Sequence, residues 1–166
     1  MGKKATRILF GVLLVTGLMA QAPQRPAPAA DLNQLMRGLF FPHANVVFET
    51  QRVDPAQIKR HPEPSSSPDP LTGIFGGWDA VENSALTLIE GADLLMNPAR
   101  VCSNGKPVPV SASDWPGLVE SLRAAGRVSY KAAQSKSIDA MFEASDVLNV
   151  ACANCHNRYR RATRCQ

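Results

Sequence analysis

The sequence lacks the residue patterns on which most enzymes depend. It shows no nucleophile beside a general base and no paired carboxylates. Asp139, Glu143 and Asp146 recur at helical spacing, which indicates a solvent-facing helix side rather than an acid–base pair. A convincing strand is also missing, because KPVPV (106–110) is short and broken by proline. These absences predict an all-α protein that is not an enzyme.

A membrane-spanning run is missing as well. The apolar stretch ILFGVLLVTGLMA (8–20) falls short of the ~20 residues that a span needs. The basic stretch MGKKATR precedes it, and the small residues Ala20 and Ala22 end it, which is the layout of a secretory signal. We therefore expect residues 1–22 to be a signal peptide, cleaved near Ala22, and the protein to be periplasmic with no stable membrane span. The alternative is an uncleaved membrane anchor.

Little excess charge remains once that segment is set aside. The chain holds 18 Lys and Arg against 14 Asp and Glu. Three of these cations are Lys3, Lys4 and Arg7. The remaining 15 against 14 give a net charge of +1, so the sequence does not predict nucleic-acid binding. Four arginines cluster near the C-terminus, at Arg158, Arg160, Arg161 and Arg164. They indicate either a solvated helix end or a surface for an acidic protein partner.

Apolar residues recur at spacings of three and four in four segments, which predicts four amphipathic helices. The segments cover residues 31–50, 77–97, 114–135 and 137–159. Most connections between them are short, and this pattern favours an antiparallel up-down four-helix bundle. Residues 23–166, about 144 in number, suffice for one domain with a single core. The Pro- and Ser-rich stretch 61–73 is expected to be a flexible connection between the first two helices.

Local signals refine these helices. Pro42 lies inside the first helix and removes a backbone hydrogen bond, so we expect a kink between Gly38 and Pro42 or two short helices. Asp114 and Ser137 precede the third and fourth helices and are predicted N-caps. The fourth helix carries its predicted core side at Ile138, Met141, Phe142, Ser145, Leu148, Cys152, Cys155, His156 and Tyr159.

The motif CANCH lies on that core side, near the C-terminal end of the last helix. A redox-active dithiol is disfavoured there, because such a pair uses a helix N-terminus to lower the pKa of its first thiol. A disulfide between Cys152 and Cys155 would strain a regular helix. A zinc site would add Cys165 to the three ligands of the motif, whereas structural zinc sites more often join two separated ligand pairs.

Covalent haem attachment agrees best with this motif. Cys-x-x-Cys-His is the attachment signal of c-type haem, in which each cysteine forms a thioether with a vinyl group and the histidine binds the iron. The attachment takes place outside the bacterial cytoplasm, where the predicted signal peptide independently directs the chain. We therefore predict one haem c, held covalently by Cys152 and Cys155, with His156 as an iron ligand.

With CANCHNRYR on the last of four helices, the chain resembles the class II cytochromes c, the cytochrome c′ family. The motif-level likeness rests on Cys152, Cys155, His156, Tyr159 and Arg160, and the likeness in architecture covers most of the chain after the signal. The resemblance implies a four-helix bundle, covalent haem and a proximal histidine, and it leaves a homodimer open. Pro42, the long Pro/Ser-rich connection and the pair Cys102 and Cys165 depart from the family pattern.

The other side of the iron depends on the start of the first helix, which lies beside the end of the last one in an up-down bundle. Met36 and His156 each lie roughly 7–8 Å from that end, at ~1.5 Å per residue, and His43 lies roughly 18 Å in. We therefore prefer Met36 as the second ligand. The resemblance agrees that this residue comes from the first helix, where low-spin members carry a ligating methionine and high-spin members an apolar residue. The alternatives are ligation by His43 and an open site shielded by Leu35, Leu39 or Phe40.

The remaining cysteines, Cys102 and Cys165, would lie at one end of such a bundle, and an exported protein favours a disulfide between them. The leading hypothesis for function is a periplasmic one-electron carrier with one haem and an acidic redox partner. The first alternative is a protein of the same fold that binds NO or CO at an open distal site. The second is a haem-free or zinc-binding structural domain.

Overall fold

The computed structural model describes residues 27–59, 61–63, 76–160 and 165. Within these residues the chain forms four long helices and no strand, and a single β-bridge pairs Val101 with Pro107. The all-α prediction is therefore confirmed. The expected signal peptide and most of the 61–73 connection lie outside the described residues.

Helix α1 (residues 32–49) continues through Pro42 without a break. It consists of an α-helical stretch Leu32–Leu35, a π-helical turn Met36–Phe40 and an α-helical stretch Phe41–Glu49. Asp31 caps its start, because the Asp31 carboxylate accepts a bond from the backbone N–H of Gln34 at 2.7 Å. The expected irregularity between residues 38 and 42 takes the form of the π turn. Two separate helices do not form, because the backbone keeps helical torsions through that turn.

The other three helices begin and end within two residues of their predicted positions. Helix α2 comprises Gly77–Gly91 and a 3₁₀ stretch Ala92–Met96, α3 spans Trp115–Ser135, and α4 comprises Ile138–Cys155 and a π turn His156–Arg160. The Ser137 hydroxyl caps α4 by accepting from the backbone N–H of Ala140 at 3.2 Å, as predicted. Lys136, with φ at 54°, turns the chain between α3 and α4.

Each helix packs on the next one in the chain, and α1 also contacts α4. Helices α2 and α3 approach closely at Gly126, where an added Cβ would lie 2.9 Å from Ile89 Cγ1. Helix α4 meets α1 where the Ser145 hydroxyl donates to the Val47 carbonyl at 3.4 Å. One hydrophobic cluster therefore joins all four helices.

One residue of the predicted core side of α4 lies elsewhere. Met141, Ser145 and Leu148 are fully buried, whereas Phe142 is 45 % exposed. A helix turns about 100° per residue, so Phe142 points well away from Met141. The assignment of Phe142 to the core was therefore wrong. A spacing of three and four residues does not by itself distinguish the centre of a buried helix face from its edge.

Helix ends meet around the loop between α2 and α3. The guanidinium of Arg100, only 6 % exposed, donates to the carbonyls of Ala30 and Leu94, which ties the start of α1 to the end of α2. The indole N–H of Trp115 donates to the Leu95 carbonyl at 3.1 Å, which ties the start of α3 to the same place. We call this region, together with the end of α4, the CxxCH end.

Candidate functional site

The motif cysteines and histidine lie together at the end of α4. Cys152 and Cys155 are free thiols, both half-buried and packed against the hydrophobic core. His156 directly follows, is also half-buried, and begins the π turn. The structure therefore brings the three predicted residues to one stretch of helix, with two thiols one turn apart and an imidazole beside them.

The two preferred iron ligands, Met36 and His156, are the first residues of π turns. Met36 opens the turn in α1, and His156 opens the turn in α4. Such turns are rare in proteins, and many of those known lie at functional sites. Neither π turn was predicted from the sequence. Pro42 is a signal for the first, because it supplies no backbone N–H, while nothing in HNRYR predicts the second.

Burial keeps both motif thiols protonated. Desolvation raises the pKa of Cys152. At Cys155, desolvation and then the charges of Cys152 and Asp114 raise the pKa to about 11. A redox-active dithiol needs a thiolate at neutral pH. The structure therefore supports the view that this pair is not a thioredoxin-like centre.

The end of α4 is fastened to the start of α3 by aromatic and charged groups. The rings of Tyr159 and Trp115 meet edge to face with centroids 4.8 Å apart. The Asp114 carboxylate accepts a bond from the Tyr159 hydroxyl at 2.5 Å and one from Arg158 Nε at 2.8 Å. The helix begins after Asp114 as predicted, but this side chain does not cap it. The predicted N-cap role is therefore wrong, because the carboxylate bonds to α4 instead.

The structure separates the two distal candidates. Met36 is half-buried against the core near the start of α1, at the CxxCH end. His43 lies about 10 Å further along α1, and its Nδ1 is 3.2 Å from the hydroxyl of Ser84 on α2. Burial lowers the pKa of His43 and favours its neutral form. This hydrogen bond gives His43 a structural role and favours Met36 as the residue available to a ligand.

Cys102 and Cys165 form the predicted disulfide, with their Cα atoms 5.0 Å apart. Cys102 is 1 % exposed, and the bond ties the loop between α2 and α3 to the chain just beyond α4. Cys165 is thereby removed from the ligand set of the zinc alternative. In the described part of the chain, no group of three or more His, Cys, Asp or Glu side chains is placed to hold a metal ion.

Comparisons with known proteins add no relative. No protein-family model, no curated protein and no solved structure matches the chain. Among the described residues, no helix has both the length and the apolar character required to cross a membrane. The residues at the CxxCH end are therefore the features of the molecule that bear on its function.

Proposed function

We propose that the chain is a periplasmic, monohaem c-type cytochrome that carries single electrons. The observation that carries this proposal is the pair of half-buried free thiols, Cys152 and Cys155, one turn apart on α4 and followed by His156. Two protonated thiols on one helix side fit the two vinyl groups of one haem, since each S–H adds across a vinyl double bond and nothing leaves. An adjacent imidazole fits the iron.

The helix contacts support an antiparallel up-down bundle as the scaffold of this site. At the CxxCH end, Arg100 joins the start of α1 to the end of α2, and Trp115 joins the start of α3 to it. At the other end, an added Cβ on Gly77, the first residue of α2, would lie 2.6 Å from the carbonyl oxygen of Pro55, just beyond α1. Helices α3 and α4 are separated by only two residues. These contacts support opposite directions for consecutive helices, as the proposed bundle requires.

The haem supplies one-electron exchange at its iron, and the chain supplies attachment, orientation and a dry environment. Cys152 and Cys155 hold the group, and His156 provides a nitrogen ligand. Met36 provides a thioether ligand from α1, since it is half-buried at the same end of the molecule. With both residues bound, the iron would be saturated, which favours electron transfer over catalysis. No bond of a substrate is made or broken.

A positive surface favours an acidic redox partner. Arg158 and Arg160 are exposed at the end of α4, and Arg37 is exposed near the start of α1. Asp114 neutralises part of this charge through Arg158. The remaining cations would speed association with a negatively charged partner, and added salt would slow it.

The first experiment tests for the haem. The full chain is expressed in a bacterium that matures c-type cytochromes, and the periplasmic protein is analysed by the pyridine haemochrome assay and intact mass. We expect one covalent haem in the wild type and none stably attached in the Cys152→Ala/Cys155→Ala variant. The matched Cys102→Ala/Cys165→Ala variant removes two cysteines outside the motif and should keep its haem. A wild-type protein without haem would refute the proposal.

The second experiment tests Met36. We expect the reduced wild-type protein to show no spectral change with CO, because His156 and Met36 would both be bound to the iron. Met36→Leu keeps the apolar volume and removes the sulfur, so this variant should bind CO. The His43→Gln variant should behave like the wild type. Ready CO binding by the wild type would instead support the gas-binding alternative with an open distal site.

A further inference from the structure

Asp114 occupies a cap position without capping. It directly precedes α3, yet its side chain makes no hydrogen bond to that helix. Both carboxylate oxygens are directed to α4, where Oδ1 accepts from the Tyr159 hydroxyl and Oδ2 from Arg158 Nε. Aspartate is among the best N-cap residues. The sequence therefore places a good cap at this position and the fold uses it for a different contact.

Both donors belong to the π turn that begins at His156. A π turn is an unusual backbone conformation within a helix, and contacts from outside the helix stabilise it. Hydrogen bonds to an ionised carboxylate are short and about twice as strong as neutral ones. Asp114 thus supplies two polar contacts that tie this turn, two and three residues beyond His156, to another helix.

Asp114 is also anchored to the hydrophobic core through Trp115, the next residue in the chain. Trp115, next to Asp114 in the chain, is 2 % exposed and donates its indole N–H to the Leu95 carbonyl. Its ring also packs edge to face against Tyr159, which is 4 % exposed. A continuous set of contacts therefore runs from α2 through the start of α3 to the turn that carries His156.

The charge of Asp114 lies beside the π turn that begins at His156, because its carboxylate accepts hydrogen bonds from Arg158 and Tyr159 of that turn. The hydrogen bond from Tyr159 lowers the pKa of the Asp114 carboxyl group and so further favours its ionised form. A fixed negative charge therefore lies close to the proposed haem site.

We propose that Asp114 is a positioning residue for His156. By holding Tyr159 and Arg158, it fixes the π turn and with it the direction in which the imidazole meets the haem iron. This inference rests on the proposed function, since it concerns a haem ligand. Asp114 would act through Tyr159 and Arg158 rather than as an iron ligand.

Two substitutions test this role in the haem-loaded protein. Asp114→Asn preserves the side-chain shape but removes the charge, and Tyr159→Phe preserves the ring contact with Trp115 but removes the hydroxyl. Glu49→Gln is the matched control, because it removes a carboxylate and its ion pair with Arg52 at the far end of α1, roughly 20 Å along the helix from Met36.

The decisive readout is the set of haem methyl resonances of the oxidised protein, whose order and spread report the orientation of an axial imidazole. We expect both variants to change this pattern and Asp114→Glu to restore it in part. The amide of Tyr159 should lose protection from hydrogen exchange by about tenfold in both variants, as expected for one lost charge-assisted bond. Glu49→Gln should match the wild type in both measurements.

The outcomes separate this inference from the proposed function. If the wild type carries haem but both variants keep its methyl pattern, Asp114 has only a structural role and the inference is wrong, even where the variants unfold more easily. If the wild type carries no haem, the proposed function and this inference fail together. A changed methyl pattern in both variants with an unchanged control supports the inference.

Discussion

At the scale of single residues, His43 links burial to stability. Burial lowers its pKa from 6.5, so the folded protein holds the imidazole neutral beside Ser84. As the pH falls below 6.5, the unfolded chain takes up a proton that the folded chain binds only at lower pH. The contribution of His43 to stability is therefore complete above pH 6.5 and is lost progressively below it.

We therefore expect the stability of the wild type and of His43→Gln to depend differently on pH. Glutamine does not titrate and still reaches for the Ser84 hydroxyl. At about pH 8 the two proteins should differ by no more than about 1 kcal/mol, the usual contribution of one hydrogen bond. Toward about pH 5 the free energy of unfolding should fall more steeply in the wild type, as measured by urea denaturation. Parallel pH profiles would show that His43 is not protected from protonation in the folded state.

Single residues also show how far the sequence determined the site. The cysteines and the histidine of the motif were predictable, because their order and helical spacing are fixed by the sequence alone. The role of Asp114 was not, because a capping residue and an interhelical acceptor have the same sequence signal. Only the position of Tyr159 and Arg158 in space distinguishes the two roles.

At the scale of helices, the extents of all four were predictable from apolar spacing and, for the start of α4, from the cap Ser137. The π turn at His156 was not predictable, since a wider turn depends on packing around it rather than on local preference, whereas Pro42 was a sequence signal for an irregularity near Met36. The position at which α2 and α3 approach each other closely was also not predictable from the sequence. Gly126 and Gly117 both lie in α3, yet only the first is pressed against another helix.

These two glycines give a matched pair of substitutions. In Gly126→Ala the new Cβ would lie 2.9 Å from Ile89 Cγ1 and 3.3 Å from the Ile89 backbone nitrogen, so α2 and α3 must move apart. We expect a loss of roughly 1–3 kcal/mol in the free energy of unfolding. In Gly117→Ala nothing lies within 4 Å of the new atom, and the better helix former should add up to about 1 kcal/mol. Equal gains in both variants would contradict the close packing of α2 on α3.

At the scale of the whole molecule, one covalent link closes a long stretch of chain. The disulfide joins residues 63 apart in sequence and ties the end of α4 to the loop after α2. Loss of a bridge over a loop of this length destabilises a protein by roughly 2–4 kcal/mol. We expect that loss in Cys102→Ala/Cys165→Ala by urea denaturation of the haem-loaded protein. Cys165→Ala alone should lose nearly as much, because it breaks the same bond. Alkylation of Cys102 or Cys165 in denatured, unreduced wild type would show that the bridge is absent.

The proposed function depends on both ends of the chain. The proposed haem needs a motif near the C-terminus and a route out of the cytoplasm, which residues 1–22 are expected to provide. We predict that residues 23–166 with a new initiator methionine, expressed beside the full chain in the same cytochrome-maturing bacterium, remain in the cytoplasm without covalent haem. Replacing residues 1–22 with an unrelated secretory signal should restore the haem, which separates export from any direct role of that segment. The measurement is the haemochrome content of periplasmic and cytoplasmic fractions. Covalent haem on the cytoplasmic protein would show that attachment does not depend on export. The predicted signal peptide would then no longer support the interpretation of CANCH as a haem attachment motif.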